Sequence, residues 1–168
     1  MRSMKSVISK HNSRLLIKQD DNQSVRLCNC RNRDTCPLNG ECLKRCFVYN
    51  ANVESASGTT NYIGGTEGPF KSRLASHALS FRDRKYETAT KLSTYVWELS
   101  DKNEPYTITW SVKDNASPYV CGTRKCDLCI TEKLHIAKAA LGTTLNMRSD
   151  MVAKCRHRNK FSLKYLNT

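Results

Sequence analysis

The sequence predicts a small α+β domain, a three-stranded antiparallel sheet flanked by helices, with a cysteine-rich, zinc-binding extension on its N-terminal side. Three observations carry this expectation. Residues 47–53 and 106–112 alternate with period two, as half-buried strands do. Leu92, Tyr95, Val96 and Leu99 recur at helical spacing. The elements follow in the order strand, strand, helix, helix, strand, helix, which suits helices packed on a short antiparallel sheet.

Taken in order, residues 1–27 are polar, have no acidic residue before Asp20 and show no clear periodicity. They read as a flexible basic arm in preference to a mitochondrial presequence, because apolar residues are sparse, and no secretory apolar region is present. Residues 28–45 are dense in cysteine and contain Pro37 and the turn Asn39-Gly40. That stretch is too short and polar for a core of its own, so something else must fix its shape.

Residues 46–168 form the main domain. A strand from Phe47 to Val53 puts Tyr49, Ala51 and Val53 on one face, a loop covers 54–59, and a second strand runs from Thr60 to Gly64 to close a hairpin. Gly64, Gly65 and Gly68 are expected to break it, and Pro69 suits the first turn of a helix reaching Leu79. Phe70, Leu74 and Ala78 form its apolar line, while Arg73 and His77, four apart, share another face. The Leu92–Leu99 helix and the strand at 106–112 follow. A third helix starts near Cys126, with Ile130, Leu134, Ala137 and Leu141 toward the core and Gly142 as its stop. From Met147 the tail is basic.

Twenty-eight Lys and Arg against fifteen Asp and Glu give a formal charge of +13. A positive field of that size favours a polyanion, nucleic acid ahead of an anionic membrane surface. No apolar run approaches the roughly 18 residues of a spanning helix, so a soluble chain without a membrane partner is expected.

The nine cysteines sort into ligand sets. Cys28-x-Cys30-x5-Cys36-x5-Cys42 offers four thiolates to one structural Zn²⁺, whose binding would supply folding energy that this stretch lacks. Cys126-x2-Cys129 with Cys155-x-His157 offers a second set; a redox pair is the rival reading of its C-x-x-C. Four protein ligands leave no open position, so both sites are structural. A reducing compartment suits this use, and a secreted disulfide framework is the competing account. Cys46 reads as a small core residue, and Cys121 competes as a ligand of the second set.

Tyr49 on the first strand, Tyr62-Ile63-Gly64 on the second, Arg73 and His77 on the next helix, Glu132 on a later one and Asn146 beyond it resemble the GIY-YIG nucleases. The resemblance covers about Phe47 to Asn146, and the element order agrees with that fold. One departure is that the first motif reads Phe47-Val48-Tyr49, so the family's leading glycine is missing while its tyrosine is kept. Met4-Lys5-Ser6 with His11-Asn12, the Cys-x-Cys-Arg stretch at 28–31, Cys36-Pro37-Leu38, the run from Cys126 to Lys133 and Cys155-Arg156-His157 are similar to the C-terminal region of Penelope-like retroelement polyproteins. There a GIY-YIG endonuclease follows a reverse transcriptase.

The resemblance implies a nuclear, divalent-metal-dependent DNA endonuclease that nicks target DNA for element insertion. Element RNA and the reverse transcriptase of the same polyprotein are its further implied partners. Glu132 would hold one Mg²⁺ through a hard carboxylate oxygen. Arg73 has the planar fork for two phosphate oxygens. Tyr49 and Tyr62 would orient or deprotonate the attacking water, His77 would relay its proton, and Asn146 would brace the site. Taken singly, the tyrosines suit a core and Glu132 suits a first helical turn. The alternative for the whole set is therefore a catalytically inactive, zinc-stapled nucleic-acid-binding module.

Overall fold

In a computed structural model, residues 26–120, 125–139 and 142–157 are described, together with 4, 6–8, 10 and 11. Three antiparallel strands form one sheet, β1 (Phe47–Ser55), β2 (Gly58–Thr66) and β3 (Tyr106–Asn115), in the order β2-β1-β3. The helices that accompany it are α1 (Phe70–Arg82), α2 (Lys91–Asp101), α3 (Asp127–Lys138) and the short α4 (Arg148–Val152), with one 3-10 turn at Arg84–Tyr86. The α+β class and the three-stranded sheet are as the sequence predicts. Among the first residues, Met4, Ser6, Val7, Ile8, Lys10 and His11 are helical, which the sequence pattern did not announce.

β1 is the centre of the sheet, and its first three residues are buried on both faces. Phe47, Tyr49, Ala51 and Val53 pack with Tyr62 against Phe70, Leu92, Val96 and Leu99 of α1 and α2. Val48 and Ile63, on the opposite face, pack against Cys126, Leu128 and Ile136. α2 follows the predicted line, with Leu92, Val96 and Leu99 fully buried, and it opens on a reciprocal cap between Thr90 and Ser93. The Trp97 indole N–H donates to the Ser80 carbonyl at 2.9 Å and ties α2 to α1. No helix of the described residues is long and apolar enough to cross a membrane.

Three elements differ from expectation, each for a physical reason. β1 and β2 run on to a two-residue turn, with Ser55 paired to Gly58, because the Glu104 carboxylate takes the Ser57 N–H and hydroxyl and fixes the turn tightly. Gly64 and Gly65 do not break β2 but lie inside it, where groups from elsewhere approach the backbone. α3 presents Leu128, Glu132 and Ile136 to the sheet, spaced four apart, whereas Ile130 and Leu134 are about half exposed. Leu141 lies outside the described residues. α3 also stops at Lys138, with Ala139 already extended (ψ 137°).

Ile136→Ala therefore removes a buried side chain and should cost about 2–5 kcal/mol. Leu134→Ala, on the outer face, should stay within about 0.5 kcal/mol. Urea unfolding of the two variants checks which face of α3 is inward.

Candidate functional site

The site begins at the outer edge of β2, whose backbone groups at positions 61, 63 and 65 have no strand beside them. Each finds a different partner. Asn61 N–H donates to the Thr143 carbonyl at 3.3 Å and its carbonyl accepts from Leu145 N–H at 2.7 Å, a single parallel bridge. Ile63 is met by a side chain: its N–H donates to Asn146 Oδ1 at 2.8 Å, and Asn146 Nδ2 donates back to its carbonyl at 2.9 Å. The Asn146 amide thus acts as one further residue of strand. Gly65 N–H donates to Glu132 Oε1 at 3.1 Å.

The glycines are required by these approaches. A Cβ on Gly65 would lie 3.1 Å from Glu132 Oε2 and 3.2 Å from Leu128 Cδ1. On Gly64 it would lie 2.5 Å from the Tyr49 hydroxyl oxygen, closer than real Cβ contacts come. Glycine inside a strand often marks such a close approach, and that was the signal available in the sequence.

Behind β2, one hydroxyl gathers two side chains. Arg73 Nε–H donates to Tyr49 Oη at 3.0 Å, and the same oxygen lies 2.8 Å from His77 Nε2. His77 is buried between Trp110, with ring centroids 5.3 Å apart, and Phe81, stacked at 5.9 Å. Burial and the Arg73 charge push its pKa down to about 3, so the imidazole is neutral. With the neutral imidazole in its Nδ1–H form, the tyrosine's own proton points to His77 Nε2. Burial pushes the Tyr49 pKa up, only partly countered by Arg73, and the phenol stays protonated. Tyr62, 8% exposed, is also pushed up by burial and then by Tyr49. Among the described residues no hydrogen-bond partner meets its hydroxyl, and no buried polar side-chain atom is left unsatisfied, so that hydroxyl keeps a small contact with solvent.

Glu132 belongs to the same electrostatic group. Burial raises its pKa, opposed by the Gly65 N–H and by Arg73, while Asp150 of α4 raises it further. Burial works against the Arg73 cation, yet Tyr49, Tyr62 and Glu132 outweigh it and hold its pKa above the ordinary value. Tyr49, Tyr62, Arg73, His77 and Glu132 thus come together, and Asn146 secures the strand that carries Tyr62. Asp150, Trp110 and Phe81 were not singled out in the sequence; nothing in their local pattern marks them.

Both cysteine sets also assemble. In the first, sulfur separations are 3.7 Å for Cys28–Cys36, 3.7 Å for Cys30–Cys42 and 3.6 Å for Cys28–Cys42. A tetrahedron with Zn–S of about 2.3 Å has an edge of about 3.8 Å, whereas a disulfide would need about 2.05 Å. Burial would raise the Cys36 thiol, but backbone N–H groups of Leu38, Gly40 and Cys42 bring its pKa down to about 6. In the second set, His157 Nδ1 lies 3.5 Å from Cys126 Sγ, 3.3 Å from Cys129 Sγ and 3.7 Å from Cys155 Sγ. Mixed Zn–S and Zn–N distances give an edge of about 3.6 Å. Each group brings its four ligand atoms within 4.8 Å of one another and is compatible with structural zinc. Cys46 stands apart from both, its Sγ donating to the Glu67 carbonyl, and Cys121 lies outside the described residues.

The first centre touches the site through α1. That helix has no side-chain cap and no acidic residue in its first turn. Its orphan donors are met instead by the cysteine module: Phe70 N–H by the Lys44 carbonyl at 3.0 Å, and Lys71 N–H by the Cys42 carbonyl at 2.7 Å. The cysteine-rich loop therefore caps the helix that carries Arg73 and His77.

Comparison with family models, with curated proteins and with solved structures finds no match to this chain.

Two outcomes follow from this geometry. Between pH about 3 and 6.5 the unfolded chain holds a proton on His77 that the folded chain does not, so the folded state gains stability as pH rises through that window. The contribution should approach about 1.4 kcal/mol per pH unit near its middle and be absent from His77→Gln, as denaturant curves at several pH values would read. Removal of zinc with a chelator should expose the Phe70 and Lys71 amides to hydrogen exchange before the β1–β2 ladder loosens.

Proposed function

We propose that the chain is a divalent-metal-dependent endonuclease of GIY-YIG type that cuts DNA. The observation that carries the reading is the Tyr49 hydroxyl, held between Arg73 and neutral His77, with Glu132 acting electrostatically on the same arginine and tyrosines. The +13 charge of the chain suits a polyanionic substrate.

Residue roles follow from the hydrogen bonds. Arg73 spends Nε on Tyr49, which fixes the guanidinium plane and leaves its Nη groups for phosphate oxygens. Tyr49 is fully buried, so it and His77 position Arg73 and do not meet substrate. Tyr62 keeps a small contact with solvent and stays protonated, which suits it to orient an attacking water by hydrogen bonding and not to deprotonate it. Glu132 fits a hard divalent cation, since Oε1 is anchored by Gly65 N–H, and burial, with Asp150 adding to it, disfavours the bare carboxylate more than Gly65 N–H, Arg73 and Lys133 favour it. Bound there, Mg²⁺ would polarise the phosphodiester and acidify a water. Element insertion, nuclear location, and partnership with element RNA and a reverse transcriptase belong to the same proposal through the sequence resemblance. Zinc at both cysteine centres is the structural part of it.

The enclosure of Tyr49 also favours a second reading, a zinc-stapled module that binds nucleic acid without cutting. Supercoiled plasmid with and without Mg²⁺ separates the two. The endonuclease nicks it, and Glu132→Gln and Arg73→Ala each lower the rate by about 100-fold or more with zinc content unchanged. Salt-sensitive binding without scission supports the module. Variants that cut as fast as the parent would sink the catalytic assignment.

A further inference from the structure

We infer that Glu67 is an outer-shell partner of the second zinc centre, holding the β2–α1 connection against α3 through His157. This inference rests on the zinc reading of that centre and is independent of whether the chain cuts DNA.

The argument starts from the imidazole. His157 turns Nδ1 toward three sulfurs at 3.3–3.7 Å. A ring that gives Nδ1 to a metal carries its proton on Nε2. Nε2 faces Glu67 Oε2 at 3.7 Å, slightly beyond direct hydrogen-bond length, and both side chains are largely shielded, at 20% and 33% exposure. A carboxylate facing the free N–H of a ligating histidine fixes the tautomer and ring orientation and raises the basicity of the ligand.

Glu67 is itself held from a second side, because Cys46 Sγ donates to its carbonyl at 3.4 Å. Its place in the chain gives the contact its consequence. Glu67 lies two residues after Gly65, whose N–H holds Glu132, and Cys129 lies three residues before Glu132 on α3. The centre therefore grips both sides of the Gly65–Glu132 contact, α3 through Cys126 and Cys129 and the end of β2 through His157 and Glu67. Glu67 acts through another residue and is a positioning residue.

The test reads zinc, not cleavage. The full chain, loaded with zinc, is challenged with a chromophoric chelator and the two equivalents are followed as they leave. In Glu67→Ala, one equivalent should be held about 10- to 100-fold more weakly while the other is unchanged; Glu67→Gln, which keeps an acceptor oxygen, should recover most of the difference. With His157→Cys there is no ring to orient, so adding Glu67→Ala should then change nothing. If the His157→Cys chain does not fold, proton exchange at His157 Nε2, read by nitrogen-15 NMR, replaces it and should quicken in Glu67→Ala. Unchanged retention in Glu67→Ala, an equal loss in the His157→Cys background, unchanged Nε2 exchange, or a parent chain that holds fewer than two zinc ions would each overturn the inference.

Discussion

The outer edge of β2 is where the architecture and the candidate chemistry are bound together. An edge strand presents unpaired N–H and carbonyl groups, and leaving them buried without partners costs free energy. Here the partners are a return segment at Asn61, the Asn146 amide at Ile63 and the Glu132 carboxylate at Gly65. Satisfying the edge and positioning the carboxylate are thus one event. The inward face of α3 and the glycine at 65 follow from it, while Gly64 is required by the Tyr49 hydroxyl on the other side.

Across β2 from that edge, the Tyr49 hydroxyl organises a polar cluster inside an aromatic core. Its neighbours are Phe47, Phe70, Trp110 and the His77 ring. In such surroundings an unpaired polar group costs several times what a paired one gains. Arg73 meets this by donating to Tyr49, and the same hydroxyl pairs with the His77 ring. Because the imidazole is neutral, no second charge competes with the guanidinium, and Arg73 stays the positive centre that faces Glu132.

With zinc bound, as we propose, the two cysteine centres would do for this small domain what added apolar core does elsewhere. One closes a polar loop whose carbonyls cap α1; the other joins the start of α3 to the chain near its end. They grip the elements that carry the site, α1 with Arg73 and His77, and α3 with Glu132. The first centre reaches the site through backbone contacts with α1, the second through the side chains of Cys126 and Cys129 on α3 and of His157 against Glu67.

The sequence by itself determined the class of fold, the strands and helices near their observed places, both ligand sets and the six residues considered for the site. Those features depend on local periodicity, on spacing of ligand types, or on resemblance carried by residue order. Only the tertiary structure decided which face of α3 turns inward. Ile130 and Leu134 matched a helical period as well as Leu128 and Ile136 did, and the tie was broken by the edge of β2, where Gly65 offers an N–H to Glu132. It also decided that Tyr49 is enclosed while Tyr62 keeps a small contact with solvent, and that Glu67 faces His157. Those outcomes depend on which distant backbone lies alongside, a quantity that no window of sequence contains.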